Sequence, residues 1–204
     1  MKILEQPGAP NPRRVKLFVA EKGLDIPYEV VELNKGDHRA AEFTALNPVQ
    51  RVPVLVLDDG TAISESVAIC RYLEGIHPDP NLFGSSPLET ATVEMWTRRM
   101  ELGLLFHIAQ CFRHTHPAMA VLENPQIAEW AEANKPRAME YLSVLNDALG
   151  QHDYVAGNRY TIADITALVA IDFMKPARLQ VPEDYAHIKR WYDVVAQRPS
   201  SQLR

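Results

Sequence analysis

The stretch His77-Pro78-Asp79-Pro80-Asn81-Leu82-Phe83-Gly84-Ser85-Ser86-Pro87 is too rich in proline, glycine and serine to continue any regular element, and it divides the chain into two unlike halves. Before it, short β-rich runs alternate with segments of helical spacing. After it, only helical spacing remains. That division predicts an α/β domain over residues 1–77, a linker over 78–87 and an all-helical domain over 88–204. The composition allows two small domains with cores, since 47% of the 204 residues are apolar and 23% are charged.

In the first half, Lys2 to Leu4 suits a strand, and Gln6-Pro7-Gly8-Ala9-Pro10 ends it in a loop. Asn11-Pro12 has the pattern of an N-cap followed by proline at the first helical position. Val15, Phe18 and Val19 then recur at helical spacing until Gly23. Tyr28 to Glu32 is a second β-rich run, and a short Ala-rich helix ends at Asn47-Pro48. Val54 to Leu57, the turn Asp58-Asp59-Gly60 and Thr61 to Ile63 form an antiparallel hairpin, and Ser64 to Ile76 returns to helical spacing. The second half offers a long helix to about Thr115, a helix opened by Asn124-Pro125, one opened by Thr161, and one near Asp184 to Arg198. Phe106 and Phe112 fall in the long helix and are read as core.

The net charge of −5 is spread over interspersed residues, with no basic run longer than Arg13-Arg14 or Arg98-Arg99. This argues against nucleic acid or an anionic membrane as partner. The first ten residues lack an apolar run of signal-peptide length, so a cytoplasmic chain is expected. Cys70 and Cys111 lack metal-ligand or redox spacing and read as reduced core cysteines. His114 and His116 at i, i+2 diverge on a helix, so no metal is expected there.

Two local motifs carry chemistry. In Arg51-Val52-Pro53-Val54, the proline has no N–H for a ladder and belongs at a strand start or a special turn. Ser64-Glu65-Ser66 stands directly before an apolar-periodic helix, whose N-terminus presents N–H groups and partial positive charge suited to a carboxylate. Each alone reads first as a plain strand start or a plain cap.

Together with Asn11, the segment His38 to Phe43, Leu46-Asn47-Pro48 and the hairpin, these motifs occur in an order and spacing that resembles the soluble glutathione transferases. The resemblance continues at Tyr154-Val155-Ala156-Gly157 and at Tyr160-Thr161-Ile162-Ala163-Asp164, a helix-capping box with a structural role. It covers essentially the whole chain. It implies a thioredoxin-like N-terminal domain that binds glutathione, a helical C-terminal domain forming the electrophile pocket, and a homodimer. It also implies a cis peptide before Pro53, with Val52 gripping glutathione's cysteinyl unit through its backbone. Glu65 and Ser66 take the γ-glutamyl amine and carboxylate, and His38 and Gln50 the glycine carboxylate. The long helix lines the electrophile pocket in that family, so the resemblance makes Arg113 a candidate second-substrate contact.

The chain departs from most classes of that family in one place, since Gln6 to Arg14 contains no Tyr, Ser or Cys to activate the glutathione sulfur. Ala9-Pro10-Asn11 is similar to the loop of the bacterial Nu-class-like group, keeping its Asn and losing its hydroxyl. Asn11 is therefore the candidate for stabilising the thiolate, and equally a helix cap. Arg13 and Arg14, one turn on, are read as holding glutathione's charge, pairing across a dimer, or facing solvent. The function expected is conjugation of glutathione, as co-substrate, to a small electrophile. A glutathione-dependent disulfide or hydroperoxide reductase and a catalytically silent binding protein are the alternatives.

Overall fold

The apolar run at the N-terminus forms strand β1, Lys2–Glu5, in a computed structural model that describes residues 1–203. Helix α1 (Pro10–Glu21) follows, then β2 (Tyr28–Val30), a short α2 (Ala41–Leu46), the hairpin β3 (Val54–Val56) and β4 (Ala62–Ser64), and α3 (Ser66–Ile76). The sheet order is β2-β1-β3-β4. β1 and β2 are parallel, joined by the crossover through α1 that parallel neighbours need, and the other pairs are antiparallel. Alternation sends Leu4 and Val54 to one face, into a cluster with Val31, Phe43 and Val52. Ile3 and Leu55 pair on the other, and Val15, Phe18, Ile69 and Leu73 of α1 and α3 are buried with them. These elements form one unit, Met1–Asn81, which the segment from Pro199 onward joins.

The start of α1 corrects the expectation from sequence. Ala9, in extended conformation, is the N-cap, and Asn11 lies inside the first turn. The fixed φ of Pro10 suits the first helical position, so the helix opens there and not at Pro12.

The other unit, Leu82–Arg198, is helical. α4 (Pro87–Arg98) is capped by Ser86, whose hydroxyl accepts from the Glu89 N–H. It continues through a π-helical turn, Arg99–Leu105, into α5 (Phe106–Thr115), and α6 (Ala128–Leu149), α7 (Ile162–Met174) and α8 (Ala186–Val195) complete the unit. α7 is buried on every side from Ile162 to Ala170, so it is the central helix of this unit. The Thr161–Asp164 capping box forms at its start. Cys70 and Cys111 are buried and form no disulfide among the described residues. No helix among the described residues is long and apolar enough to cross a membrane.

The second half brings further corrections. Phe106 is exposed, because a π turn adds a residue to the helical count and rotates the residues after it away from a 3.6-residue phase. Phe112 is half-buried, its ring 5.0 Å from that of Phe173. α6 begins at Ala128, not after Asn124-Pro125. The Gln126 side chain donates to the Arg113 and His116 carbonyls, and the Ile127 N–H goes to His114 Nδ1. Residues 124–127 thus close the end of α5 before a new helix opens.

Candidate functional site

The strand register gathers the candidate residues of the first unit at one end of the sheet. Leu4 pairs with Val54 and Val54 with Ser64, while Glu5 pairs with Val30. The loop leaving β1, the segment leaving β2, the approach to β3 and the exit from β4 therefore share that end. They carry, in the same order, Asn11, His38, Gln50 with Val52-Pro53, and Glu65-Ser66. The Leu33 N–H donates to Gln6 Oε1 at 3.1 Å, tying the first two of these segments together.

Asn11 occupies the second position of α1, between two prolines that have no N–H to offer. Its own backbone N–H is thus the lone donor of the first three helical residues, at the positive end of the helix. The side chain is exposed and makes no hydrogen bond among the described residues. The capping alternative is thereby removed.

Val52-Pro53 is cis, and the backbone N–H and C=O of Val52 find no partner in the turns and loops of the described residues. The turn before it is fixed by Asn47, which is buried. Its Nδ2 donates to the Arg51 carbonyl at 2.8 Å, and its Oδ1 accepts from the Val49 N–H at 3.2 Å. Gln50 has a left-handed φ of 56° and spends one amide hydrogen on Thr44 Oγ1 at 3.0 Å. Glu65, the residue before α3, has φ 68° and ψ 116°. Of the three non-glycine residues with positive φ among those described, two therefore belong to this site. Such conformations cost roughly 1–3 kcal/mol each and persist where the surroundings enforce them.

Ser66 opens α3 and is buried, and its Oγ accepts from Nη1 of Arg14 at 2.7 Å. His38 is also buried, with its Nδ1 unpartnered among the described residues. Burial, helped by the neighbouring charges of Arg39 and Arg51, holds its pKa below the usual histidine value, so the imidazole is neutral at pH 7. Arg113 belongs to the helical unit, in the last turn of α5, where its Nε donates to Glu123 at 2.6 Å.

Sequence alone leaves Arg14 undecided and gives Asn47 and Gln6 no role of their own. The signal for Arg14 is its helical phase, because it lies four residues before the buried Phe18. Arg13 takes the other course. It remains partly exposed and donates to the carbonyls of Ser201 and Leu203, both at 3.3 Å.

Residues 9–76 match the model of the glutathione S-transferase N-terminal domain, and residues 97–199 that of the glutathione S-transferase C-terminal domain. Glutathione S-transferase 2 of Saccharomyces cerevisiae is 36% identical over 203 residues, covering 98% of this chain and 87% of that one. The crystal structure of a glutathione S-transferase domain-containing protein from Marinobacter aquaeolei VT8 is 39% identical. It superposes with a TM-score of 0.95 and covers 98% of this chain and all of its own. Gtt2 from Saccharomyces cerevisiae, 36% identical, gives 0.94 with 98% of each chain covered. Both halves of the chain and its whole length thus match, and the protein belongs to the glutathione S-transferase family.

Proposed function

We propose that this protein binds glutathione at the shared end of the sheet and conjugates its thiolate to a small electrophile, with Asn11 stabilising the thiolate. The observation that carries this reading is the exposed, unpartnered Asn11 between Pro10 and Pro12 in the first turn of α1. Lowering a thiol pKa from about 8.5 to about 6.5 requires roughly 2.7 kcal/mol of preference for the thiolate. One hydrogen bond to a charged group supplies about 1.5–3 kcal/mol, and a helix N-terminus about 0.3–1 kcal/mol. The Asn11 amide and backbone N–H at that terminus therefore suffice in magnitude.

The remaining residues match the rest of the tripeptide. Val52 offers its N–H and C=O to the cysteinyl backbone as a neighbouring strand would. Glu65 and Ser66 hold the γ-glutamyl amine and carboxylate, and His38 and Gln50 the glycine carboxylate. Among solved structures of the same fold is Ure2p in complex with glutathione. The loop Ala9-Pro10-Asn11 supports a bacterial Nu-class-like subgroup. Arg113 is proposed as a second-substrate contact.

Titrating the purified protein with reduced and with oxidised glutathione by calorimetry tests the reading. Preference for the reduced form supports conjugation. Tighter binding of the oxidised form moves the assignment to disulfide reduction, and no heat with either leaves a silent member of the family. Asn11→Ala is expected to raise the pKa of the bound thiol by about 1–2 units, the equivalent of one charged hydrogen bond. An unchanged pKa, read by ultraviolet titration, removes Asn11 from the mechanism.

A further inference from the structure

Arg14 lies three residues after Asn11, in the second turn of α1, and has no exposed surface. A guanidinium is costly to bury, so the position of this one calls for a reason. Its Nη1 donates to Ser66 Oγ at 2.7 Å. Ser66 is the first residue of α3, is itself buried, and follows Glu65 with its left-handed backbone. The bond therefore joins the turn behind the candidate thiolate group to the helix end that faces the other half of the site.

The chemistry of a hydroxyl sets the consequence. Once the oxygen accepts from a cation, its own hydrogen is directed elsewhere. The same bond polarises the O–H and makes it a stronger donor. At the first residue of a helix, where backbone N–H groups also point outward, such a donor suits an anion.

We propose that Arg14 is a positioning residue of the glutathione site. It holds Ser66 Oγ as an acceptor, so that the Ser66 hydroxyl donates to the γ-glutamyl carboxylate, and it fixes α1 against the start of α3. This rests on the proposed function, which puts that carboxylate at Ser66. Arg14 does not touch the ligand, and its effect on binding passes through Ser66.

The test is a double-mutant cycle on the full chain, with the dissociation constant for reduced glutathione read by calorimetry. Loss of one hydrogen bond to a charged group predicts about 10-fold weaker binding for Ser66→Ala and for Arg14→Met, with Arg14→Lys in between. In the Ser66→Ala background neither Arg14 substitution weakens binding further. Additive losses mean that Arg14 acts by general damage to the fold, and overturn the proposal. Wild-type affinity in Ser66→Ala removes the carboxylate from Ser66, overturning the underlying reading together with the proposal. If no Arg14 variant folds, Ser66→Ala decides alone. One oxygen serves both roles, so it must lose thermal stability as well as affinity; lost affinity at an unchanged Tm overturns the assignment.

Discussion

Asp164 has no exposed surface and accepts four hydrogen bonds, from the Val155 N–H, the Trp191 Nε1–H, and the N–H and hydroxyl of Thr161. One carboxylate thus joins the loop before α7, the cap of α7 and a buried side chain of α8. Substituting it leaves at least three buried donors without an acceptor. Asp164→Ala is expected to cost about 3–5 kcal/mol in urea unfolding at pH 7, the range for breaking a buried charged network. Burial pushes its pKa from 3.8 up to about 6, against the opposing pull of those donors. The folded protein therefore holds this proton more tightly than the unfolded chain. That part of its stabilisation is complete below about pH 4 and is lost as the pH rises through about 6. The stability gap between wild type and Asp164→Ala should accordingly be larger at about pH 4.5 than at about pH 7. An equal gap at the two values means the carboxyl does not titrate in that window.

Among the elements, the long helix is shaped by one glycine. A Cβ built on Gly103 would stand 2.1 Å from Cε1 of Tyr141, so the π turn and α6 approach closely because that residue has no side chain. Gly103→Ala should displace the Tyr141 ring and cost about 1–3 kcal/mol, a fall of several degrees in Tm. Tyr141→Ala in the same chain should restore most of that increment, and thermal melting of the single and double variants decides it. A neutral Gly103→Ala would show that the ring yields freely. The same turn marks what sequence does not convey. The order of strands and helices is legible because periods of two and of 3.6 residues and the Pro/Gly stops are local signals, and Thr161 to Asp164 announces its own cap. Periodicity misplaces Phe106 because a π turn breaks the count from which its face is reckoned. Asn11 resembles a cap because Asn-Pro usually is one, although Pro10 opens the helix first. At the site, Val52-Pro53 and Glu65-Ser66 are visible as motifs, whereas the bond from Arg14 to Ser66 spans 52 positions and no local pattern carries it.

At the scale of the whole molecule, the helical unit presents apolar side chains that its own core does not use. Leu88, Met95, Leu102 and Phe106, along α4, the π turn and α5, are 78%, 41%, 53% and 43% exposed. The Arg99 guanidinium lies 4.7 Å from the Trp96 ring, a cation held on the same stretch. Homodimers are typical of the glutathione S-transferase family, and a second copy of this chain is the occupant we propose for this stripe. In a two-fold interface every residue acts twice, so a Leu102→Glu, Phe106→Glu double variant removes four apolar side chains from one contact. At about 0.7 kcal/mol or more for each of these half-exposed side chains, the dimer is expected to weaken by at least about 3 kcal/mol, on the order of 100-fold. Both positions face solvent in the single chain, so the variant should keep its helical circular dichroism while sedimenting as a monomer at micromolar concentration. A wild-type chain that already sediments as a monomer leaves the stripe without this partner, and a variant that remains dimeric places the contact on another surface.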